Sequence, residues 1–186
     1  MIEALSHLFA AVCGQNPGHT WAPGGMLLPC CQRCTGLYVG AGIAALLHLG
    51  LRPKMTSLFL RIHGAFLLFM APFGFHWVAH GPAMRTITGV LFAFAVVTFL
   101  WVPLASRFTF HVSKPGVWRY FLILAATLLL LPLAASLGGT FVGYGLSLLI
   151  AWGALALAAL VIADVGLGLL AALRWLCRLI SLRVLA

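Results

Sequence analysis

TITGVLFAFAVVTFLWVPLA, residues 86–105, is the stretch of sequence that decides the fold class. It contains no Asp, Glu, Lys or Arg. A helix rises about 1.5 Å per residue, so about 20 apolar residues cross the hydrocarbon core of a bilayer. The stretch does not alternate between apolar and polar residues, as a strand of a transmembrane barrel does. Because lipid offers the backbone no hydrogen-bond partners, we predict a transmembrane α-helix here.

The whole chain has the composition of an integral membrane protein. Of its 186 residues, 63% are hydrophobic and 7% are charged, and the mean hydropathy is +1.13. A soluble domain carries about 25% charged residues, so this chain could not cover its surface in water. We therefore predict an all-α, polytopic transmembrane helical bundle whose main partner is the lipid bilayer. The net charge of +9 does not indicate nucleic-acid binding, because the basic residues lie between apolar runs and no nucleotide-binding motif is present.

The apolar runs predict about five spans, at residues 34–51, 58–77, 86–105, 119–137 and 141–170. Residues 1–33 are predicted to form an external N-terminal segment with a cysteine-rich loop, and residues 171–186 a basic amphipathic cytoplasmic tail. The segment before Cys13 is too short to span, so we expect it at the interface or on the mouth of the bundle. Two glycine pairs with i, i+4 spacing predict close helix packing: Gly36 with Gly40, and Gly139 with Gly143.

Basic residues are distributed unevenly between the two sides of the predicted bundle. Two of the 11 Lys and Arg residues, Arg33 and Arg85, lie on the side of the N-terminal loop. The other nine lie on the opposite side: Arg52, Lys54, Arg61, Arg107, Lys114, Arg119, Arg174, Arg178 and Arg183. Because positive charge accumulates on the cytoplasmic side, we predict a bacterial inner membrane protein with the cysteine-rich loop outside and the C-terminus in the cytoplasm.

Four of the five cysteines lie in one loop: Cys13, Cys30, Cys31 and Cys34. Cys31 and Cys34 form a C-x-x-C unit at the start of a predicted helix. This unit suits zinc, which binds thiolates and imidazoles. It also suits a redox dithiol, because a helix N-terminus lowers the pKa of a thiol. A third interpretation is a structural disulfide that joins Cys13 to Cys30, Cys31 or Cys34 and fixes the loop to the bundle.

Histidines and arginines on the predicted external side extend the candidate site. His19 lies in the cysteine-rich loop, and His76 and His80 would share one helix face if the second span stays helical to that point. Such pairs are frequent metal ligands, although interfacial histidines bonded to headgroups fit the same pattern. Arg33 and Arg85 either extend to the interface or stabilise thiolate charge and bind an anionic group.

Three further features concern the membrane-embedded part. Asp164 is the only acidic residue besides Glu3, so we expect a structural ion pair within the last span. Its candidate partners are Arg61, His63 and Arg174. Aromatic residues near the predicted interfaces are interpreted as belt anchors rather than site residues: Tyr38, Trp77, Trp118 and Tyr120. Cys177, in the predicted tail, is interpreted as an unpaired thiol.

A run of motifs resembles a known family. The motifs are Cys13-x-Gln15-x-Pro17, Leu28-Pro29-x-Cys31-x-Arg33-Cys34-Thr35-Gly36-x-Tyr38-x-Gly40 and Arg85-x-x-Thr88-Gly89. They are similar to domain-of-unknown-function family 2085, a group of predicted bacterial and archaeal integral membrane proteins. The resemblance implies no activity, but it implies a characteristic set of Cys13, Cys31, Cys34, Arg33 and Arg85. Cys30 is then an additional thiol of this chain. Members usually have His where this chain has Gly14, often Arg in place of His19 and often an acidic residue in place of His76.

These observations lead to one favoured function and two alternatives. The favoured one is an external metal site, with zinc as the preferred ion, built by Cys13, Cys31 and Cys34 and completed by a histidine. The first alternative is a membrane thiol–disulfide oxidoreductase or redox sensor that uses Cys31 and Cys34, with quinone as its cofactor. The second is a small accessory subunit of a larger membrane complex, or a homo-oligomer, with structural cysteines. A non-enzymatic role is favoured, and the sequence names no substrate.

Overall fold

A computed structural model describes residues 2–75, 77–105 and 115–184. Within these residues the chain forms six α-helices and two short 3-10 turns. The helices are α1 (Ile2–Ala10), α2 (Gln32–Gly50), α3 (Ser57–Gly74), α4 (Pro82–Ala105), α5 (Pro115–Leu137) and α6 (Thr140–Val184). The 3-10 turns, Pro17–His19 and Pro23–Gly25, lie in the loop between α1 and α2. The prediction of an all-α helical bundle with a cysteine-rich N-terminal loop is confirmed.

Helix α2 lies at the centre of the bundle and packs most closely on α4. A Cβ atom on Gly36 would overlap the backbone of Thr86, and one on Gly89 would overlap the carbonyl of Arg33. One turn along, Gly40 faces Val90. Glycine is required here because the two backbones touch, which confirms the close packing predicted at the first glycine pair.

The second glycine pair does not form a comparable helix contact. No heavy atom lies within 4 Å of the Cβ position of Gly139. Gly143 instead packs against Met26 and Pro23 of the N-terminal loop. Its small size therefore lets the loop approach the start of α6, and the expectation of a close helix pair at this position is wrong.

Four of the described helices are long and apolar enough to cross a membrane. They are Ser57–Gly74, Pro82–Ala105, Gly116–Leu137 and Thr140–Trp175. The first predicted span coincides with α2, which has 19 residues but is not among these four. Most of α2 is buried by its neighbours, so it needs less apolar surface than a lipid-facing helix.

The helices alternate in direction between two ends of the bundle. Helices α2, α4 and α6 run one way, and α3 and α5 return. One end therefore holds the N-terminal loop, the end of α3 and the starts of α4 and α6. The described basic residues between or near the spans lie at the other end: Arg52, Lys54, Arg61 and Arg119. Arg107 and Lys114 lie outside the described residues.

Helix α6 is much longer than a bilayer requires. Its 45 residues would extend about 68 Å at 1.5 Å per residue, roughly twice the thickness of the hydrocarbon core. The helix continues without a break through residues 170 and 171, where we placed the start of the tail. The division of the chain into loop, bundle and tail stays a prediction.

Two expectations about individual residues are wrong. Tyr120, predicted to be an interfacial anchor, is fully buried. His63, a predicted partner of Asp164, is bonded instead to the Tyr120 hydroxyl and the Phe59 carbonyl. Oδ1 of Asp164 is buried and has no hydrogen-bond partner in the part of the chain that the structure describes. In contrast, Trp118 is 73% exposed, as a belt residue would be.

Candidate metal centre

The first part of the N-terminal loop is held by one glutamine. The side-chain amide of Gln15 donates to the Ser6 carbonyl at 2.6 Å and to the Pro29 carbonyl at 2.8 Å. These two bonds join α1 to the end of the loop, so they bring Cys13 close to the start of α2. Phe9 also packs on Tyr38 of α2, with ring centroids 4.9 Å apart. The short N-terminal helix therefore packs on the mouth of the bundle, one of the two placements we expected.

The rest of the loop is fixed to the bundle by further bonds. Thr20 and Cys31 form an isolated antiparallel bridge. Trp21 Nε1 donates to the hydroxyl of Thr86 in α4 at 2.9 Å, and that hydroxyl bonds to the Gln32 carbonyl at 3.2 Å. The sequence carried no signal for Trp21, Thr86 or Gln32 beyond their position near the motifs.

Three thiols converge beneath this loop. The sulfurs of Cys13, Cys31 and Cys34 all lie within 4.8 Å of one another. Cys31 is the N-cap residue of α2 and Cys34 lies in the first turn, so both face the same way. In a tetrahedral zinc site with Zn–S bonds of about 2.3 Å, sulfurs are about 3.8 Å apart. The three thiols can therefore reach a common metal ion after small side-chain adjustments.

The thiols open into a cavity of about 320 Å³. Polar and charged side chains from the loop and the two neighbouring helices contribute to its wall. The lining residues are Val12, Cys13, Gly14, Gln15, Asn16, His19, Cys31, Arg33, Cys34 and Arg85. Cys31 and Cys34 are half-buried, so an ion or a small reagent can reach them from this cavity.

Cys30 does not belong to the cluster. It is completely buried, and its thiol pairs with the hydroxyl of Thr35 at 3.6 Å. Burial raises the pKa of the Cys30 thiol to about 12, so this thiol stays protonated. The pKa of Cys31, in contrast, is held well below its usual range, chiefly by a hydrogen bond from the Cys34 thiol. Two adjacent cysteines therefore differ sharply in reactivity.

The three candidate histidines are placed differently. His19 ends the first 3-10 turn and lines the cavity of the thiols. His80 bonds through Nδ1 to the Val78 carbonyl at 2.7 Å and through Nε2 to Arg33 at 3.0 Å. Helix α3 ends at Gly74, so the condition under which His76 and His80 would share a helix face is not met. His76 lies outside the described residues.

Both arginines of the candidate site lie beside the thiols. Arg33 Nη2 donates to the Phe73 carbonyl at 2.8 Å and to His80, while its Nε is buried without a hydrogen-bond partner. Arg85 Nη1 donates to Gln32 Oε1 at 3.3 Å. Both guanidinium groups therefore add positive charge to the cavity, which favours thiolates over thiols.

Comparisons with known proteins agree with the motifs. No curated protein and no solved structure matches the chain. A family model described as "Predicted membrane protein (DUF2085)" matches residues 13–99. These residues contain the three clustered cysteines and the two arginines of the cavity, and they end within α4. Residues 13–99 therefore match the DUF2085 family of predicted membrane proteins, as the sequence motifs predicted.

Proposed function

We propose that this integral membrane protein holds one zinc ion at the thiols of Cys13, Cys31 and Cys34. The observation that carries the proposal is the convergence of the three sulfurs within 4.8 Å of one another. Soft thiolate ligands select zinc over calcium or magnesium, which prefer oxygen. The two arginines of the cavity support the thiolate form that a metal requires.

His19 is the proposed fourth ligand. It shares the cavity with the thiols, whereas His80 is engaged on both ring nitrogens by Arg33 and Val78. A Cys₃His set closes a tetrahedral zinc site, and closed sites are structural rather than catalytic. The ion would fix the loop of residues 13–34 over the mouth of the bundle, and no catalytic step is proposed for it.

The loop is proposed to face the outside of the cell. The argument is the distribution of basic residues, of which nine of 11 lie on the opposite side. An external site would meet an oxidising environment, in which bound zinc also protects thiols from disulfide formation. The site would thus stabilise a cysteine-rich loop where free thiols do not persist.

Metal analysis of the purified protein tests the proposal. Detergent-solubilised protein is kept reduced, and its metal content is measured by inductively coupled plasma mass spectrometry. It should contain about one zinc ion per chain. Cys31→Ser and Cys34→Ser should each lose the metal. Cys177→Ser is the matched control, because Cys177 is exposed on α6 and lies outside the cluster, so it should keep the metal. Wild-type protein without stoichiometric metal under these conditions would refute the proposal.

A thiol–disulfide exchange site is the second candidate. The lowered pKa of Cys31, at the N-terminus of α2 and open to a cavity, favours nucleophilic attack on a disulfide. This candidate predicts an exchangeable Cys31–Cys34 disulfide in protein alkylated at low pH directly from membranes. Thiols found reduced and blocked by metal would exclude it. Quinone remains a prediction of this candidate alone.

An accessory role in a larger membrane complex, or a homo-oligomer, also remains a prediction. Much of the apolar surface of α6 is exposed, including Leu155, Leu169 and Trp175, and lipid covers such a surface as well as a partner does. Purification in a mild detergent, followed by mass measurement of the intact complex, distinguishes a surface covered by lipid from one covered by a protein partner.

A further inference from the structure

At the end of the bundle away from the thiols, four polar side chains form a buried hydrogen-bonded chain. His48 Nε2 lies 3.0 Å from Thr98 Oγ1, and Thr98 Oγ1 lies 3.3 Å from the Tyr120 hydroxyl. That hydroxyl lies 2.9 Å from His63 Nε2, and His63 Nδ1 lies 2.8 Å from the Phe59 carbonyl. The two histidines, the threonine and the tyrosine are each 0% exposed and come from four different helices, α2 to α5.

The donor and acceptor in each of these hydrogen bonds follow from the last partner in the series, the Phe59 carbonyl. The Phe59 carbonyl can only accept, so His63 Nδ1 carries a proton and Nε2 of the neutral ring is an acceptor. Tyr120 therefore donates to His63, and its oxygen must accept from Thr98. Because the threonine has then used its only proton, His48 must donate to it from Nε2.

With these donor and acceptor roles, one ring nitrogen of the four side chains has no partner. A neutral His48 that carries its proton on Nε2 has a free lone pair on Nδ1. Among the described residues, Nδ1 of His48 is indeed buried without a hydrogen-bond partner. A buried acceptor of this kind is costly, since it has lost water and gained nothing. A hydrogen-bond network that only joined the helices would not require this unsatisfied acceptor. The unpaired Nδ1 atom of His48 therefore indicates a further role.

We propose that the four side chains form a proton-transfer path from His48 to His63. A proton from water binds the lone pair of His48 Nδ1, and the Nε2 proton of the same ring passes to the Thr98 oxygen. At the same time the threonine proton passes to the Tyr120 oxygen, and the tyrosine proton passes to His63 Nε2. One proton is taken up, His63 becomes an imidazolium, both hydroxyls regain a proton, and no electrons are transferred.

The position of the four hydrogen-bonded side chains is suitable for proton transfer. His48 lies two residues before the end of α2, so only about 3 Å of helix separates it from the end of the bundle. The rings packed against the path are aromatic and carry no charge: Phe59, Phe66, Phe94, Trp101 and Phe121. Arg61 and Arg119 are exposed, and in the described part of the chain no carboxylate bonds to the path. The proton can therefore move without being trapped by a neighbouring acid.

The tautomers of the two histidines provide the first test. Protein labelled with ¹⁵N-histidine and reconstituted in bilayers is measured by solid-state NMR above the ordinary histidine pKa of about 6.5. The path requires His48 protonated on Nε2 and His63 protonated on Nδ1. Assignment uses His48→Gln and His63→Gln spectra. Any other pair of tautomers overturns the proposal. The measurement is made on the wild-type protein, and the two variants serve only to assign the signals.

Acidification provides the second test. As the pH is lowered stepwise, the imidazolium signal should appear at His63, while His48 changes from the Nε2–H to the Nδ1–H tautomer. Thr98→Val and Tyr120→Phe should each slow the exchange of the His63 Nε2 proton with water, because each variant removes one hydroxyl from the path. The matched control is Thr88→Val, because Thr88 is a buried threonine of the same helix that bonds only the Arg85 carbonyl. An unchanged exchange rate at His63 in the Thr98→Val protein overturns the proposal.

Discussion

The backbone N–H of Cys31 donates a hydrogen bond to the sulfur of Cys13, at 3.3 Å and across 18 residues of sequence. This bond closes the N-terminal loop at the point where α2 begins. An N–H donor stabilises a sulfur more strongly when that sulfur carries negative charge. The same contact therefore positions Cys13 beside the C-x-x-C unit and favours the thiolate that a metal ion binds.

Gln15 should control how tightly the loop holds a metal, although it is not a ligand. Replacing it with alanine removes the two bonds to Ser6 and Pro29, each worth about 1 kcal/mol. We expect Gln15→Ala to weaken zinc binding by roughly one to two orders of magnitude in a competition with a chromophoric chelator. Ser136→Ala, which removes an exposed bond to the Leu133 carbonyl on α5, outside the cavity, serves as the control. Equal affinities in the two variants would show that the loop does not position Cys13.

The thiols of the metal-free protein should react in a fixed order. The pKa of Cys31 is lowered by the hydrogen bond from Cys34, so a larger fraction is thiolate below the ordinary cysteine pKa of about 8.5. At mildly acidic pH, iodoacetamide should therefore modify Cys31 before Cys177, and Cys30 should stay unmodified because burial raises its pKa. Cys34→Ala should move the pH midpoint of the Cys31 reaction upward. Peptide mapping by mass spectrometry measures each rate, and an unmoved midpoint would contradict the assigned cause.

The contact between α2 and α4 should tolerate no side chain at Gly89. A methyl group there would overlap the Arg33 carbonyl, so we expect Gly89→Ala to lower the free energy of unfolding by about 1–3 kcal/mol. Gly64→Ala is the control, because nothing lies within 4 Å of its Cβ position in α3. The control should be neutral or more stable by up to about 1 kcal/mol. Denaturation in mixed micelles compares the two, and similar stabilities would argue against the close packing.

The predicted orientation can be tested with a membrane-impermeant maleimide. Asn16 is exposed in the loop, and Cys177 is exposed near the other end of the molecule. In intact spheroplasts, Asn16→Cys should be labelled at residue 16 while Cys177 should be labelled only after the membrane is permeabilised. The opposite pattern would place the loop in the cytoplasm and invert the topology.

Local patterns in the sequence were sufficient to predict the thiol cluster. Cys31 and Cys34 are three residues apart at the start of a helix, which places their side chains on one face. Cys13 joins them through the loop bonds of Gln15, whose position in the family motif was the available signal. The separation of Cys30 from the cluster depends on its burial beside Thr35, which spacing alone does not reveal.

The buried hydrogen-bonded chain could not be predicted in the same way. Its members are separated by 50, 22 and 57 residues along each bond. A helix that is apolar on all sides does not indicate which face points inward, so Tyr120 was taken for an interfacial residue. The early end of α3 has local causes instead, because Pro72 and Gly74 both favour a helix end, and it removes the expected spacing of His76 and His80.

X-ray absorption at the zinc edge tests the central claim most directly. On reduced, zinc-loaded wild-type protein, three sulfur neighbours at about 2.3 Å and one nitrogen at about 2.0–2.1 Å should be found. Cys34→Ser should retain fewer sulfur neighbours if it retains zinc at all, and His19→Ala should lose the nitrogen while it keeps the three sulfurs. A first shell made only of oxygen and nitrogen in the wild-type protein would contradict a zinc site at Cys13, Cys31 and Cys34.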